Sequence, residues 1–394
     1  MFILYTLVYV FFTYIMYAQA SKSNELSIRT GNVVEWDKYL SYFVIIFTLI
    51  GGLRWNVGTD SYAYARGFKY PDLTMPLYWD NGEYLWYGLL WLHKTLRLHY
   101  VFGMCTAAFL QIFFITKAVK NNRYCLIFLP IVIFGSHYFQ DMMNGVRQLI
   151  AASIFFYATT YITQRKLIKY CCLIIIASFF HRSALTLLPL YLMAYADHIY
   201  IRIFKRKWIC IAVFLACCIV GNAPKFQNNM QTFEYVANLL GYENMVDNLY
   251  FHMDKGIEET RVNLFGLMQI SYLLTAIFTI FYAPALYNKY KNNIQNLGLW
   301  LFLSYLYVCL VFLTQNLGIS LIRPVMYLEY FHMIVIAILL YHFKSSAKYK
   351  KLNLFGILFI IIWTSNVWDI IKCAPFFPKE TAIYKLFIFH NVHM

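Results

Sequence analysis

Charged residues are scarce in this chain. Asp, Glu, Lys and Arg make up 13% of its 394 residues, whereas apolar residues make up 61%. That balance excludes an ordinary soluble domain, in which roughly a quarter of the residues are charged. Apolar runs recur along the whole length, and a membrane-spanning helix needs about 20 such residues. We therefore predict an all-α, polytopic integral membrane protein with a single transmembrane domain over residues 1–394.

Metal-binding and disulfide patterns are also missing. The nine cysteines lie mostly in or beside apolar runs, without CxxC pairs or Cys/His spacing. This pattern indicates small buried residues and excludes a disulfide framework or a zinc site. No metal and no cofactor are expected. No internal repeat is visible either, and many transporter folds are built from repeats.

Acidic residues are few, which leaves a formal net charge of +15. The basic residues stand in short clusters between apolar runs, where cytoplasmic loops of membrane proteins carry them. The clusters are Lys117, Lys120 and Arg123; Arg165, Lys166 and Lys169; Arg202, Lys205, Arg206 and Lys207; Lys289 and Lys291; and Lys344, Lys348, Lys350 and Lys351. Two predicted spans separate each pair of neighbours, so all clusters can be cytoplasmic, and no nucleic acid partner is implied.

The apolar runs predict about 12 spans. They are Phe2–Tyr17, Tyr39–Leu53, Val101–Thr116, Tyr124–His137, Gln148–Thr163, Leu167–Phe180, Ala184–Ala196, Trp208–Val220, Leu264–Tyr282, Leu297–Thr314, Pro324–Tyr341 and Leu352–Trp368. A polar loop, Gln19–Lys38, follows the first. Tyr84–Tyr100 is ambiguous, because each of its basic residues would cost about 2.5–3.5 kcal/mol at the bilayer centre. We expect an interfacial helix there, which places Arg54–Asp60 outside; a full span would place it in the cytoplasm.

The predicted external loops carry the remaining polar groups. These loops are Tyr138–Arg147, Phe180–Ser183, the long segment 221–262 and Gln315–Arg323. The long segment holds more carboxylates than basic residues, as an external loop can. Candidate functional residues at the external ends of spans are Arg54, Asp60, Asp141, Asn144, Arg147, Gln148, His181, Arg182, Arg323 and Glu329. Several arginines on one face suggest an anionic ligand, because the guanidinium group binds phosphate oxygens bidentately.

Each candidate also has a plain structural interpretation. Asp60 can be a helix N-cap, and Asn144-Gly145 forms a good turn. Arg147 and the His181-Arg182 pair can anchor span ends in the interface. Glu329 lies inside a span with Arg323 behind it, so a structural ion pair is an alternative to a functional role.

The order and spacing of these residues are more specific than any one of them. The segments LRWNVGTDSYAY (53–64), NGVRQLIA (144–151), FFHRSAL (179–185) and RPVMYLEYF (323–331) resemble the EpsG family of bacterial membrane proteins. These are relatives of the Wzy-type polymerases of O-antigen, capsule and exopolysaccharide. The resemblance extends over most of the chain, although Arg182 stands where such proteins often have another residue.

The resemblance implies a metal-independent glycosyltransferase in the bacterial cytoplasmic membrane, with its active site outside. It would transfer a growing glycan from undecaprenyl diphosphate to a lipid-linked oligosaccharide repeat unit. A flippase, a chain-length regulator and membrane lipids are implied as partners. In that role Arg147, Arg323 and then Arg54 would bind the diphosphate, and His181, Asp60 or Glu329 would be the base. Asn144, Gln148, Asp141 and Arg182 are further candidates.

Three other classes of protein stay open at this stage. A repeat-unit flippase or transporter would be polytopic as well, but ionisable residues near the bilayer midplane are expected there. A membrane O-acyltransferase of cell-surface glycans would need a histidine that a cytoplasmic acyl donor can reach. A scaffold of a glycan assembly complex would share every feature except activity.

Overall fold

The structure is a computed structural model that describes residues 2–31, 35–58, 60–195, 197–223, 267–316, 323–372 and 384–386. These residues are almost entirely helical. The first helices are α1 (Phe2–Arg29), α2 (Lys38–Gly52), α3 (Ser61–Lys69), α4 (Met75–Asp80), α5 (Tyr84–Thr95), α6 (Tyr100–Val119), α7 (Tyr124–Ile127), α8 (Leu129–Gly135) and α9 (Tyr138–Asn144). They are followed by α10 (Val146–Thr163), α11 (Leu167–Ser178), α12 (Asp197–Lys205), α13 (Lys207–Gly221), α14 (Leu267–Tyr290), α15 (Leu297–Thr314), α16 (Glu329–Ser345), α17 (Ala347–Lys351) and α18 (Leu354–Lys372). Segments Pro71–Leu73, Arg182–Tyr195 and Arg323–Leu328 are wound as 3₁₀ helices.

Five helices of the described chain are long and apolar enough to cross a membrane, or six if one bent pair counts as a span. The five are Ile3–Arg29, Tyr100–Val119, Gln269–Tyr290, Leu297–Thr314 and Arg323–Ser345. Shorter apolar helices are Lys38–Gly52, Leu167–Ser178, Lys207–Gly221 and Leu354–Trp368. A multi-pass, all-helical protein is therefore supported, but the predicted count of about 12 spans is not confirmed. Most of the predicted loop at 221–262, from 224 onward, lies outside the described residues, as do residues 317–322.

The first helix is longer than predicted. The polar loop expected over Gln19–Lys38 is helical as far as Arg29. Ser23 and Ser27 on this extension are buried. The Arg123 guanidinium donates hydrogen bonds to the Ser23 carbonyl at 3.2 Å and to its hydroxyl at 3.3 Å. The loop prediction was wrong because these polar residues face the protein interior and find hydrogen-bond partners there.

The predicted span Tyr124–His137 and the predicted loop after it form a bent helical unit instead. Helices Tyr124–Gly135 and Tyr138–Asn144 meet at an angle of 79°. The apolar side chains of α9 are all buried: Tyr138, Phe139, Met142 and Met143. The loop prediction for Tyr138–Arg147 was wrong because these side chains pack into the core, which draws the backbone in and starts α10 directly after Gly145.

Helix α5 lies at one end of the helix bundle and does not cross it. Its 12 residues measure about 18 Å along the axis, too short for a bilayer core. The N–H groups of Leu85 and Trp86 donate to the Phe179 carbonyl at 3.0 and 3.3 Å, so its first turn is docked on the end of α11. Tyr84–Tyr100 is therefore not one full-length span, and its position in the interface stays a prediction.

Helices α2 and α6 fix the position of the stretch between them, which includes α5. Helix α2 ends beside the start of α6, where a Cβ placed on Gly52 would lie 2.7 Å from the Cα of Cys105. Glycine is required at that crossing because no side chain fits between the two backbones. The chain leaves the helix bundle after α2 and enters it again at α6, at the same end of the bundle. The candidate residues between these two helices, Arg54 and Asp60, therefore lie at that end.

The last described residues, 384–386, contact the start of the Arg54–Asp60 segment and the end of α2. Strand β1 (Arg54–Trp55) pairs antiparallel with β2 (Lys385–Leu386). The Tyr384 hydroxyl donates a hydrogen bond to the Ile50 carbonyl at 2.8 Å. These contacts fix the start of the Arg54–Asp60 segment against α2.

Candidate functional site

The Arg54–Asp60 segment packs on the link between α9 and α10. Gly58 has a φ of +88°, and a Cβ there would lie 3.1 Å from the backbone nitrogen of Asn144. Any other residue would be strained by the dihedral angle and by the contact. The Asn144 side-chain oxygen accepts a hydrogen bond from the Asp60 N–H at 2.8 Å. Asn144 therefore ties the first two sequence motifs together.

The two charged residues of this segment have different environments. The Arg54 side chain is buried, and its guanidinium donates to the carbonyls of Gly51, Val57 and Met143. Asp60 precedes α3, but its half-buried carboxylate makes no capping hydrogen bond. Asp60 thus stands at the N-cap position of α3 without a capping hydrogen bond from its side chain, while Arg54 has backbone partners that hold the segment in shape.

Arg147 lies in the first turn of α10 and forms an ion pair with Glu83. Its guanidinium carbon also stands 4.6 Å from the centroid of the Tyr78 ring, in a cation–π contact. Its Nε is buried and has no hydrogen-bond partner. The side chain is thus oriented by two groups of the α4–α5 region while one of its donors stays unused.

Glu83 belongs to the candidate site, and sequence reasoning missed it. Its side chain is buried just before α5, and its second carboxylate oxygen accepts a hydrogen bond from the Arg182 N–H at 3.4 Å. Burial raises the pKa of Glu83, and the adjacent Arg147 acts in the opposite direction. The sequence offered only a weak indication of this role: a single carboxylate directly before an amphipathic segment. Its partner stands 64 residues away.

His181 lies between α11 and the following 3₁₀ helix, in a network of hydroxyl groups. Its Nδ1 is 2.8 Å from the Ser183 hydroxyl and 3.3 Å from the Tyr327 hydroxyl. The two hydroxyls are 2.9 Å apart. Ser183 and Tyr327 thereby fix the orientation of the ring and leave Nε2 for another partner.

The electrostatic surroundings of His181 come from two arginines on different elements. Burial, and then the positive charges of Arg147 and Arg323, lower the pKa of His181 to about 3. The imidazole is therefore neutral at physiological pH. An anion bound by both arginines would remove part of this shift, because it would cancel the positive potential at the ring.

Gln148 places Arg323 on this side of the site. The buried Gln148 amide donates a hydrogen bond to the backbone carbonyl of Arg323, across 175 residues of sequence. The Arg323 side chain is exposed, as is the Arg182 side chain. Two predicted diphosphate ligands, Arg147 and Arg323, thus add positive potential at the same histidine, one from a half-buried side chain and the other from an exposed one.

Glu329 lies deeper, at the start of α16. Its side chain is 1% exposed and its Oε1 has no hydrogen-bond partner. It interacts electrostatically with Asp141, whose carboxylate is 3.5 Å from the His137 Nε2. In the described chain Glu329 forms no ion pair with Arg323, so that structural alternative is not observed. The buried Glu329 and the half-buried Asp141 and His137 form a second polar group.

The described residues contain no group of three or more His, Cys, Asp or Glu side chains arranged to hold a metal ion. The absence of a metal and of a cofactor stays a prediction.

A family model described as the EpsG family matches residues 38–378. The matched range begins at the first residue of α2 and extends past the end of α18. The chain belongs to the EpsG family. Searches of curated proteins and of solved structures each gave no significant match.

EpsG membership confirms the resemblance inferred from the four motifs. It assigns the chain a polymerase-like role in polysaccharide biosynthesis, in general terms, and does not favour the flippase or acyltransferase alternatives. All ten candidate residues fall inside the matched range, whereas strand β2 falls outside it. The structure brings together Arg147, His181, Gln148 and Arg323, with Asn144 and Asp60 beside them.

Proposed function

We propose that this EpsG-family protein is a glycosyltransferase that polymerises oligosaccharide repeat units. The growing glycan would move from undecaprenyl diphosphate to a hydroxyl of a lipid-linked repeat unit, on the outer face of the bacterial cytoplasmic membrane. One arrangement carries the proposal: Glu83 joins the Arg147 guanidinium to the backbone N–H of Arg182, next to the half-buried His181, and the Tyr327 hydroxyl, four residues after Arg323, lies 3.3 Å from the His181 Nδ1.

Arg147 and Arg323 form the diphosphate clamp in this proposal. The leaving diphosphate gains negative charge as its bond to the sugar breaks, and preorganised cations stabilise that charge. Arg147 has a buried, unused Nε donor, and Arg323 has an exposed side chain that can reach a lipid headgroup. Glu83 and Gln148 would act as positioning residues, because each fixes one arginine through a hydrogen bond.

His181 is the base in this proposal. With its Nδ1–H donated to Ser183, its Nε2 can accept the proton of the acceptor hydroxyl. The acceptor oxygen then bonds to the anomeric carbon, the bond from that carbon to the diphosphate oxygen breaks, and the electron pair leaves with the diphosphate. Diphosphate binding would raise the pKa of His181 by cancelling the potential of the arginines, so the base gains strength only with substrate in place.

Asp60 and Glu329 are the alternative bases. Asp60 has a half-buried carboxylate on the same face, and Glu329 has a buried oxygen without a partner. We prefer His181 because the positive charges of both Arg147 and Arg323 act on it, and neither alternative base has this pair of neighbours. Arg54 would support the site through the backbone that it binds. The aromatic residues proposed to hold sugar rings, in 226–250, lie outside the described residues.

The lipid-linked glycans of a deletion strain test the proposed function. We expect single repeat units on the lipid carrier, because the units would still be made and exported but not joined. Complementation with the intact gene should restore long glycan on gels. Full-length polymer that lacks a substituent in the deletion strain would contradict polymerisation and indicate a decorating enzyme.

The outside location of the site has its own test. Asn56 is exposed beside the site, whereas Lys350 is exposed on the face that carries the basic clusters. In a background with the exposed Cys172 replaced by serine, we expect Asn56→Cys to react with an impermeant thiol reagent in intact spheroplasts. Lys350→Cys should react only after permeabilisation. The reverse pattern would place the site in the cytoplasm.

A further inference from the structure

A second polar cavity lies at the opposite end of the helix bundle. Helices α6 and α16 each begin beside the candidate site and end beside this cavity. The 20 residues of α6 correspond to about 30 Å, the thickness of a bilayer core. The cavity has a volume of about 370 Å³, within the range of small-molecule sites. Its walls come from α1, the α6–α7 link, the end of α14 with the link after it, and the end of α16.

The charge in this cavity is positive. Arg123 contributes to the wall, but it is 2% exposed and pairs with Asp37, which neutralises it. Lys289 also lines the cavity, with its Nζ 3.5 Å from the Ser345 hydroxyl. No carboxylate is among the described residues that line the cavity. The Lys289 ammonium group is therefore available to an anionic ligand.

The rest of the lining suits hydroxyl groups. Asn24, Asn122 and Asn293 face the cavity, and each amide can both donate and accept hydrogen bonds. The ring of Tyr124 stacks between two other lining tyrosines, with centroid distances of 5.5 and 5.1 Å. The Tyr124 hydroxyl is buried without a hydrogen-bond partner. A buried orphan hydroxyl costs free energy, which a polar ligand can recover.

We propose that this cavity binds the headgroup of an anionic phospholipid, with the phosphate at Lys289 and the hydroxyl-bearing part among the asparagines. The cavity opens at the ends of helices that are long and apolar enough to cross a membrane, and lipid headgroups are expected beside such ends. Basic pockets between transmembrane helices are known to bind phosphate-bearing lipids. Lysines of the neighbouring clusters, at 117–120 and 344–351, add attraction for an anionic leaflet. This site does not depend on the proposed polymerase function.

Lipid retention by the full-length protein tests the proposal. Protein purified in phosphatidylcholine with added phosphatidylglycerol is analysed by native mass spectrometry. We expect Lys289→Gln to lower phosphatidylglycerol retention about fivefold, the effect of one lysine near a lipid surface. Lys291→Gln is the matched control, because Lys291 is exposed two residues away, also lies over a tyrosine ring, and does not line the cavity. Lys289→Arg keeps the charge and should retain the lipid, even if the glutamine variant folds poorly.

A second variant separates phosphate recognition from hydroxyl recognition. Asn293→Leu should lower retention of phosphatidylglycerol more than retention of phosphatidic acid, which has no headgroup hydroxyls. Equal losses from the Lys289 and Lys291 variants would overturn the proposal and indicate general surface attraction. Displacement of the lipid by soluble glycerol 3-phosphate would also overturn it, in favour of a soluble phosphate ester.

Discussion

Cells in which Arg147 or Arg323 is replaced by alanine are expected to accumulate single lipid-linked repeat units and to lose long glycan. Each variant removes a cation from the diphosphate, and loss of one preorganised donor typically costs about 10²–10³ in rate. The measurement is the glycan length distribution on the lipid carrier, corrected for the amount of protein in the membrane.

Arg147 needs a further variant, because its removal leaves the buried Glu83 without its cation. An uncompensated buried charge can destabilise a protein by about 3–5 kcal/mol. We expect the double variant Arg147→Ala, Glu83→Ala to regain stability in the membrane but not polymerisation. Recovery of long glycan in the double variant would mean that Arg147 serves only as the counter-ion of Glu83.

Arg66 provides the matched control for Arg323. Arg66 is an exposed arginine in the last turn of α3, on the same face of the bundle. Arg66→Ala should leave the glycan length unchanged, and Arg323→Lys should retain part of the activity because a lysine supplies charge without the bidentate geometry. Normal glycan from both the Arg147 and the Arg323 variants would rule out the clamp.

Replacement of His181 by asparagine should lower the turnover number by about 10²–10⁴, the usual contribution of a general base. The Michaelis constant should change much less, because the arginines that would bind the diphosphate remain. Ser183→Ala and Tyr327→Phe should have smaller effects, since they release the orientation of the ring but keep its Nε2. The assay uses purified protein and lipid-linked repeat units.

The dependence on pH gives an independent readout of the same base. The pKa of His181 in the free protein is lowered to about 3, so its neutral, basic form persists at acidic pH. We expect kcat/KM, which reports the free protein, to show no loss from this group between pH 8 and pH 5. In the substrate complex the bound diphosphate raises the pKa, so kcat should begin to fall at a higher pH than kcat/KM.

His332 is a suitable control for His181, because its Nδ1 also lies 2.9 Å from a serine hydroxyl, that of Ser304. It is buried in α16. His332→Asn should change the yield of folded protein but not the pH profile of the remaining activity. A pH profile that is altered by His332→Asn and left intact by His181→Asn would assign the base elsewhere.

The membrane class, the helical fold and the family were predictable from the sequence. Long apolar runs dictate helices in a bilayer, since every backbone hydrogen bond must be satisfied within the segment. The four motifs predicted the family because they occur along the chain in the same order as in EpsG proteins. The span count was less predictable, because the predicted spans Tyr39–Leu53 and Leu167–Phe180 correspond to helices of only 15 and 12 residues, shorter than a bilayer core requires.

Local sequence misled where burial depends on distant residues. Gln19–Lys38 and Tyr138–Arg147 are polar enough to suggest loops, yet both contain helix. The partners that bury them are distant in sequence: Arg123 stands 100 residues from Ser23. Asp60 occupies the predicted N-cap position, but its side chain makes no capping hydrogen bond, and its N–H donates to the side chain of the distant Asn144.

Helix formation, membrane insertion and the residue types of the site were thus determined by the sequence itself, because each depends on side chains within one turn or one apolar run. The tertiary structure alone decided that Glu83 meets Arg147, that Gln148 holds Arg323, and that both arginines act on His181. The two hydrogen-bonded pairs, Glu83–Arg147 and Gln148–Arg323, join residues that are 64 and 175 positions apart. Only the packing of helices against one another brings such segments together, and that packing depends on the shapes of many side chains at once.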